Sequence, residues 1–115
     1  GRAEQSMRNY HLFDAPHVAI VHSEAALGPY GAMDCGGFIT AFMLAATALG
    51  LGTIAQASVA AYAPMIRAHF DLPESRLILC AISFGLPDTD HPANNFRTSR
   101  AELDEVLDLR GQPDR

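Results

Sequence analysis

Apolar and polar positions alternate along this chain with different periods, and the changes of period divide it into elements. The run His17-Val18-Ala19-Ile20-Val21-His22 follows Ala15-Pro16 and is rich in β-branched residues, which predicts a strand. Its period of two sets His17, Ala19 and Val21 on one face and Val18, Ile20 and His22 on the other. Ser23 to Gly31 reads as a loop punctuated by Gly28-Pro29. From Asp34, a suitable N-cap, the period becomes helical. Phe38, Phe42, Ala45 and Leu49 share one face, with Ile39, Met43 and Ala46 beside them. A helix apolar nearly all round is expected to be buried, in a core or against another subunit. Gly50 and Gly52 stop it, after roughly 24 Å at about 1.5 Å per residue.

Thr53 to Gln56 is a short β-prone piece, and a second helix is expected to begin near Pro64 and to end before Leu72-Pro73. Leu77-Ile78-Leu79-Cys80-Ala81-Ile82-Ser83-Phe84 is the strongest strand, unbroken enough to be central and covered on both sides. Gly85 to Asn95 reads as loop. Ser99-Arg100-Ala101-Glu102 then has capping-box spacing ahead of a short helix to about Leu107. Gly1 to Arg8 is polar and reads as a linker or frayed end. Residues 1–115 thus form one α+β portion of a domain, in which two or three strands are few for a self-sufficient sheet.

Composition narrows the possible functions. With 49% hydrophobic residues the chain has enough apolar surface for a packed core. The net charge of −5, with scattered basic residues, gives no electrostatic reason to expect a nucleic acid partner. The most apolar stretch, Gly36 to Leu51, falls short of the roughly 20 residues a membrane span needs. Cys35 and Cys80 have neither Cys-x-x-Cys spacing nor scaffold density, which predicts two buried thiols in a reducing cytoplasm. The histidines lack metal-ligand spacing, Ser83 is not in a nucleophile elbow, and no Gly-x-Gly-x-x-Gly follows a strand. No metal site and no catalytic acid, base or nucleophile is predicted.

The order of the segments adds more. Ala15-Pro16 before a strand is similar to the pair that precedes a core strand in the nitroreductase superfamily. Asp34, Phe38, Met43-Leu44-Ala45-Ala46 and Leu49-Gly50-Leu51-Gly52-Thr53 resemble its central dimer-interface helix and the exit from it. Pro73-Glu74 and Phe84-Gly85-Leu86-Pro87-Asp88 resemble stretches around its central strand, and Asn94 to Arg100 resembles its tail motif. On these residues the chain resembles the C-terminal half of an FMN-dependent nitroreductase-type protein, from about Asn9 to Leu107.

The resemblance implies part of an α/β/α sandwich, with core strands and a long buried helix that joins a homodimer. It also implies FMN in a cleft between subunits, with NAD(P)H and a nitroaromatic, quinone or similar electron-poor acceptor alternating over the flavin. Gln56, Ala57 and Ser58 are expected beside the flavin ring, with the main-chain N–H of Ala57 or Ser58 facing its N5/O4 edge. Arg100 and Arg97 are expected on the phosphate, whose oxygens a guanidinium fork matches. Thr98 stands where some members carry a lysine. Nothing in Gly1 to Tyr10 resembles the N-terminal half that supplies further phosphate and ring contacts.

On residue type alone the same positions have plainer readings. Gln56 caps the segment after Thr53, Ser58 caps a helix, and Arg97 and Arg100 are solvated side chains at a helix start. The competing overall reading is a truncated, flavin-free, non-catalytic fragment that folds as a dimer through its apolar helix. A third is a missing half supplied by a separate polypeptide.

Overall fold

The structure, a computed structural model, describes residues 1–111. Three strands form one antiparallel sheet in the order β1-β3-β2, with β1 at His17–Glu24, β2 at Gly52–Gln56 and β3 at Arg76–Gly85. The unbroken apolar run is thus the central strand, as its pattern predicts. Both faces of β3 are covered, and Ile82, Ala81 and Ser83 are at most 2% exposed. The β1–β3 ladder pairs His17 with Phe84 and Val21 with Cys80, then shifts register between Val21 and His22. That irregularity inserts an extra residue on β3, the signature of a bulge.

Helix α2, Gly28–Ala48, lies across one face of the sheet. It starts six residues before Asp34, because Pro29 occupies its first turn, where a missing N–H costs nothing. Its inward stripe is Gly31, Cys35, Ile39, Phe42 and Ala46, the spacing that keeps one helical face on a flat sheet. Val21, Cys80 and Ile82 receive it, with Phe42 edge-on to Phe84 at 5.4 Å. Full burial of a side chain such as Ile82 contributes roughly 1.5–3 kcal/mol.

Within the single chain only Gly31 and Ala46 of this helix are buried. Tyr30, Met33, Phe38 and Leu44 are exposed, as is Leu49 just past the helix, so the expected face is split: Phe42 packs on the sheet while Phe38 and Leu49 do not. The helix has 21 residues, and the stretch Ala25–Ala48 is long and apolar enough, by length and composition, to cross a membrane. The expectation from the shorter Gly36 to Leu51 stretch is corrected accordingly. The stripe on the sheet is nonetheless the packing of a core helix.

The other sheet face meets two 3₁₀ segments, Arg8–Asp14 and Ala57–Tyr62, followed by α3 at Ala63–His69. Pro64 sits in the first turn of α3, as expected. The N-terminal residues are not an extended linker. Arg2–Met7 forms α1 and runs straight into the Arg8–Asp14 segment. Arg8 then reaches Asp14 at 3.5 Å and His91 at 3.3 Å. Leu12, Phe13 and Asp14 all take positive φ, between 53° and 59°. Such a run is costly for residues with a Cβ.

Beyond β3 the chain leaves the sheet. A short 3₁₀ turn at Pro92–Asn95 leads to α4, only Leu103–Val106, and every residue from Pro92 to Gly111 is exposed. The capping box does not form, since Glu102 rather than Ser99 precedes the helix and no side chain caps it. The Cα radius of gyration is 17.8 Å, against roughly 13 Å for a compact domain of this length.

Candidate functional site

The candidate residues fall into two groups. Gln56 ends β2 opposite Ala81 and turns its side chain inward, on the sheet face away from α2. Its amide nitrogen donates to the Asn9 carbonyl at 2.7 Å, and Ser83 Oγ donates to its Oε1. Both Gln56 and Ser83 are 2% exposed. The network explains a polar residue in the buried part of β3, because a buried hydroxyl needs a partner. The Gln56 side chain thus has its hydrogen bonds within the protein interior.

Ala57 is exposed and opens the 3₁₀ segment Ala57–Tyr62, whose first turn has no side-chain cap. Ser58 follows, with its Oγ buried and without a hydrogen-bond partner. An unmade bond of this kind costs about 1–3 kcal/mol. Ser58 is therefore not acting as a cap.

Arg97 and Arg100 lie on the exposed segment after Asn95. Arg97 Nη1 donates to the carbonyls of Asn94 and Phe96 at 2.9 and 3.0 Å. Arg100 Nη1 donates to Thr98 Oγ1 and to the Ser99 carbonyl. Each guanidinium is held by its own loop through one nitrogen, which leaves its other N–H groups directed to solvent or a ligand. Among the described residues no hydrogen bond joins this arginine pair to the Gln56–Ser58 group.

Two open clefts flank these groups. One, of about 430 Å³, is lined by Arg8, Asp14, Pro16, Gly52, Asp88 and His91 among others. In it, His91 Nδ1 accepts from the Ala93 N–H at 3.2 Å while Nε2 meets the Arg8 guanidinium. A neutral imidazole accepts at only one nitrogen, so His91 cannot satisfy both donors. The other cleft, about 380 Å³, is apolar, between Tyr10, Leu12, Tyr62, Met65 and Ile66. None of Gln56, Ala57, Ser58, Arg97 and Arg100 lines either cleft.

Asn9 and Ser83, the partners of Gln56, were not singled out by residue type. Ser83 carried a usable signal, as a lone hydroxyl in a strand covered on both sides. Asn9 and Arg8 carried none, because their role depends on a left-handed turn that sequence does not announce.

Comparison with known proteins agrees with this architecture. The Nitroreductase family signature matches residues 2–86. The chain is 36% identical over 97 residues to a 4-nitrobenzoate reductase of Nocardioides sp. (strain LMS-CY), covering 84% of this chain and 39% of that one. It is likewise 36% identical over 106 residues to nitroreductase NfnB of Mycolicibacterium smegmatis, covering 92% of this chain and 44% of that one. The fold superposes with a TM-score of 0.93 on the FMN and NADPH-dependent nitroreductase NfnB of sphigopyxis sp. strain HMH, at 30% identity, over 97% of this chain and 50% of that one. The chain thus spans about half or less of the length of the relatives it matches. The strand order, the long helix on the sheet and the match from the first helix to the end of β3 lead to one conclusion: this chain belongs to the nitroreductase family.

Proposed function

We propose that this chain is the C-terminal half of an FMN-dependent NAD(P)H oxidoreductase that reduces nitroaromatic compounds, with quinones and similar electron-poor molecules as further acceptors. The observation that carries the reading is the junction at Ala57-Ser58. There an exposed, uncapped turn stands beside a buried hydroxyl that lacks a partner. The relatives in which FMN and NADPH dependence is recognised share this fold at 30% identity.

The residues present fit FMN. Ser58 Oγ is an orphaned polar atom in need of a hydrogen bond, and Arg97 and Arg100 form a donor set matched to a phosphate. When bound, FMN supplies two-electron redox chemistry. The main-chain N–H of Ala57 or Ser58 would be the donor held toward the flavin ring, a fixed dipole that needs no reorganisation. Gln56 holds that junction in place by tying the end of β2 to Asn9 and Ser83. Arg97 and Arg100 anchor the phosphate. No side chain of this chain is needed as general acid or nucleophile.

A homodimer through the outer face of α2 is part of the proposal, since Met33, Phe38 and Leu44 stand exposed on that helix. The same exposure favours a second reading for the isolated chain: a flavin-free fragment that pairs through α2 and has no activity. A visible absorption spectrum, recorded with intact mass during titration with FMN, separates the two. Saturable flavin binding at one FMN per chain, weakened by Arg100→Ala, supports the enzyme site. A colourless chain of this mass that binds no added FMN overturns the claim that these residues hold flavin unaided.

A further inference from the structure

Two thiols that play no part in the flavin reading lie in the packing of α2 on the sheet, Cys35 on the helix and Cys80 in the sheet cluster it packs against. The helix comes close to β1 at its N-terminal end: a Cβ on Gly31 would lie 2.3 Å from Ser23 Oγ. One turn later Cys35 points down, with its Sγ 3.9 Å from the His22 carbonyl that accepts from it. Cys80 is registered opposite Val21, the neighbour of His22, at the step where the ladder shifts. Cys35 packs against the cluster formed by Val21, Cys80 and Ile82. Both sulfurs therefore lie over one step of the β1–β3 ladder, and both are free thiols. Burial pushes the Cys80 thiol up, and Cys35 nearby pushes it further the same way.

We propose that Cys35 and Cys80 are a redox pair that closes to an intramolecular disulfide under a hydroperoxide and pins α2 to the central strand. Cys35 is the half-buried partner and reacts first. Its thiolate attacks the peroxide oxygen, the O–O bond breaks, and Cys35 becomes a sulfenic acid as an alcohol or water departs. Cys80 sulfur then attacks the Cys35 sulfur, the S–O bond breaks, and the Cys80 proton leaves with the oxygen as water. In sum two thiols lose two electrons and two protons, and the hydroperoxide is reduced. A disulfide requires Cα atoms within about 7 Å, so closure draws the first turns of α2 onto β3 where Cys35 already packs against the Cys80 cluster.

The test treats the reduced full chain with hydrogen peroxide and maps its peptides without reduction. The expected result is a linked Cys35–Cys80 peptide pair, an intact mass lower by about 2 Da, and full reversal by dithiothreitol. Amide exchange in the first turns of α2 slows on oxidation. In Cys80→Ser the sulfenic acid on Cys35 persists and is trapped by dimedone. If that variant does not fold, the peptide map of the unsubstituted protein decides alone. Over-oxidation of Cys35 with Cys80 still alkylatable, or a disulfide formed only between two chains, overturns the proposal.

Discussion

Gln56 shows how a side chain suited to a ligand can serve the interior instead. Replacing it by Met leaves the buried Ser83 hydroxyl and the half-buried Asn9 carbonyl without this partner. Gln56→Met is expected to lower stability by about 1–3 kcal/mol in urea denaturation. Adding Ser83→Ala should restore part of that loss, because the pair is then removed together. Ser58→Ala should behave oppositely. It removes an unpartnered hydroxyl and leaves the flavin-free chain equally or more stable, while it weakens FMN retention if the proposed site is correct. Cys80 supplies a pH dependence whose sign is fixed. Its folded pKa lies above the ordinary 9.0, so below that value both folded and unfolded chains keep the proton and stability is flat. As pH rises past it the unfolded chain loses the proton first. The melting temperature should therefore fall above about pH 9, and Cys80→Ala should remove that part of the decline. At these positions sequence names the residue types that matter. It could not show that Gln56 turns inward or that Ser58 is left without a partner, because both depend on packing between segments distant in the chain.

Strand positions were legible because strands here obey simple rules. Pro16 precedes β1, and the uninterrupted apolar run is the strand with neighbours on both sides. Helix limits were less so. Pro29, beside a glycine, resembles a turn in sequence and serves as a first-turn residue in α2. The capping spacing at Ser99 had nothing to cap, since α4 is four exposed residues with no partner surface among the described residues. A helix that short does not hold itself together in water. The seating of α2 depends on Gly31 more than on any large residue. Gly31→Ala brings a methyl against the fixed Leu27 Cβ as well as the Ser23 hydroxyl and should lift the N-terminal half of α2 from β1. A loss of about 1–3 kcal/mol is expected, read as a lower urea midpoint. Gly36→Ala, where a Cβ meets nothing within 4 Å, is the control and should be neutral or better.

The molecule as a whole is expanded, with a radius of gyration of 17.8 Å and large apolar side chains left uncovered along α2. Such a surface is expected to associate. Leu44→Glu, at a side chain 67% exposed in the single chain, should leave monomer stability within about 0.5 kcal/mol. Light scattering coupled to size exclusion should show it shifting the chain from dimer toward monomer. The incomplete sheet was visible in sequence as a shortage of strands, whereas the extended tail was not, because nothing in Phe96 to Gly111 distinguishes a packed segment from a free one. The strand order has a further consequence for how the chain is made. Of the three described strands, the central β3 is the last to leave the ribosome, so β1 and β2 lack the strand that joins them until Gly85 has emerged. At roughly 10 residues per second, β1 waits on the order of six seconds, with α2 and its apolar faces already outside the exit tunnel. Nascent chains stalled before Arg76 are therefore expected to bind chaperones that recognise apolar segments, and those stalled well past Gly85 to release them.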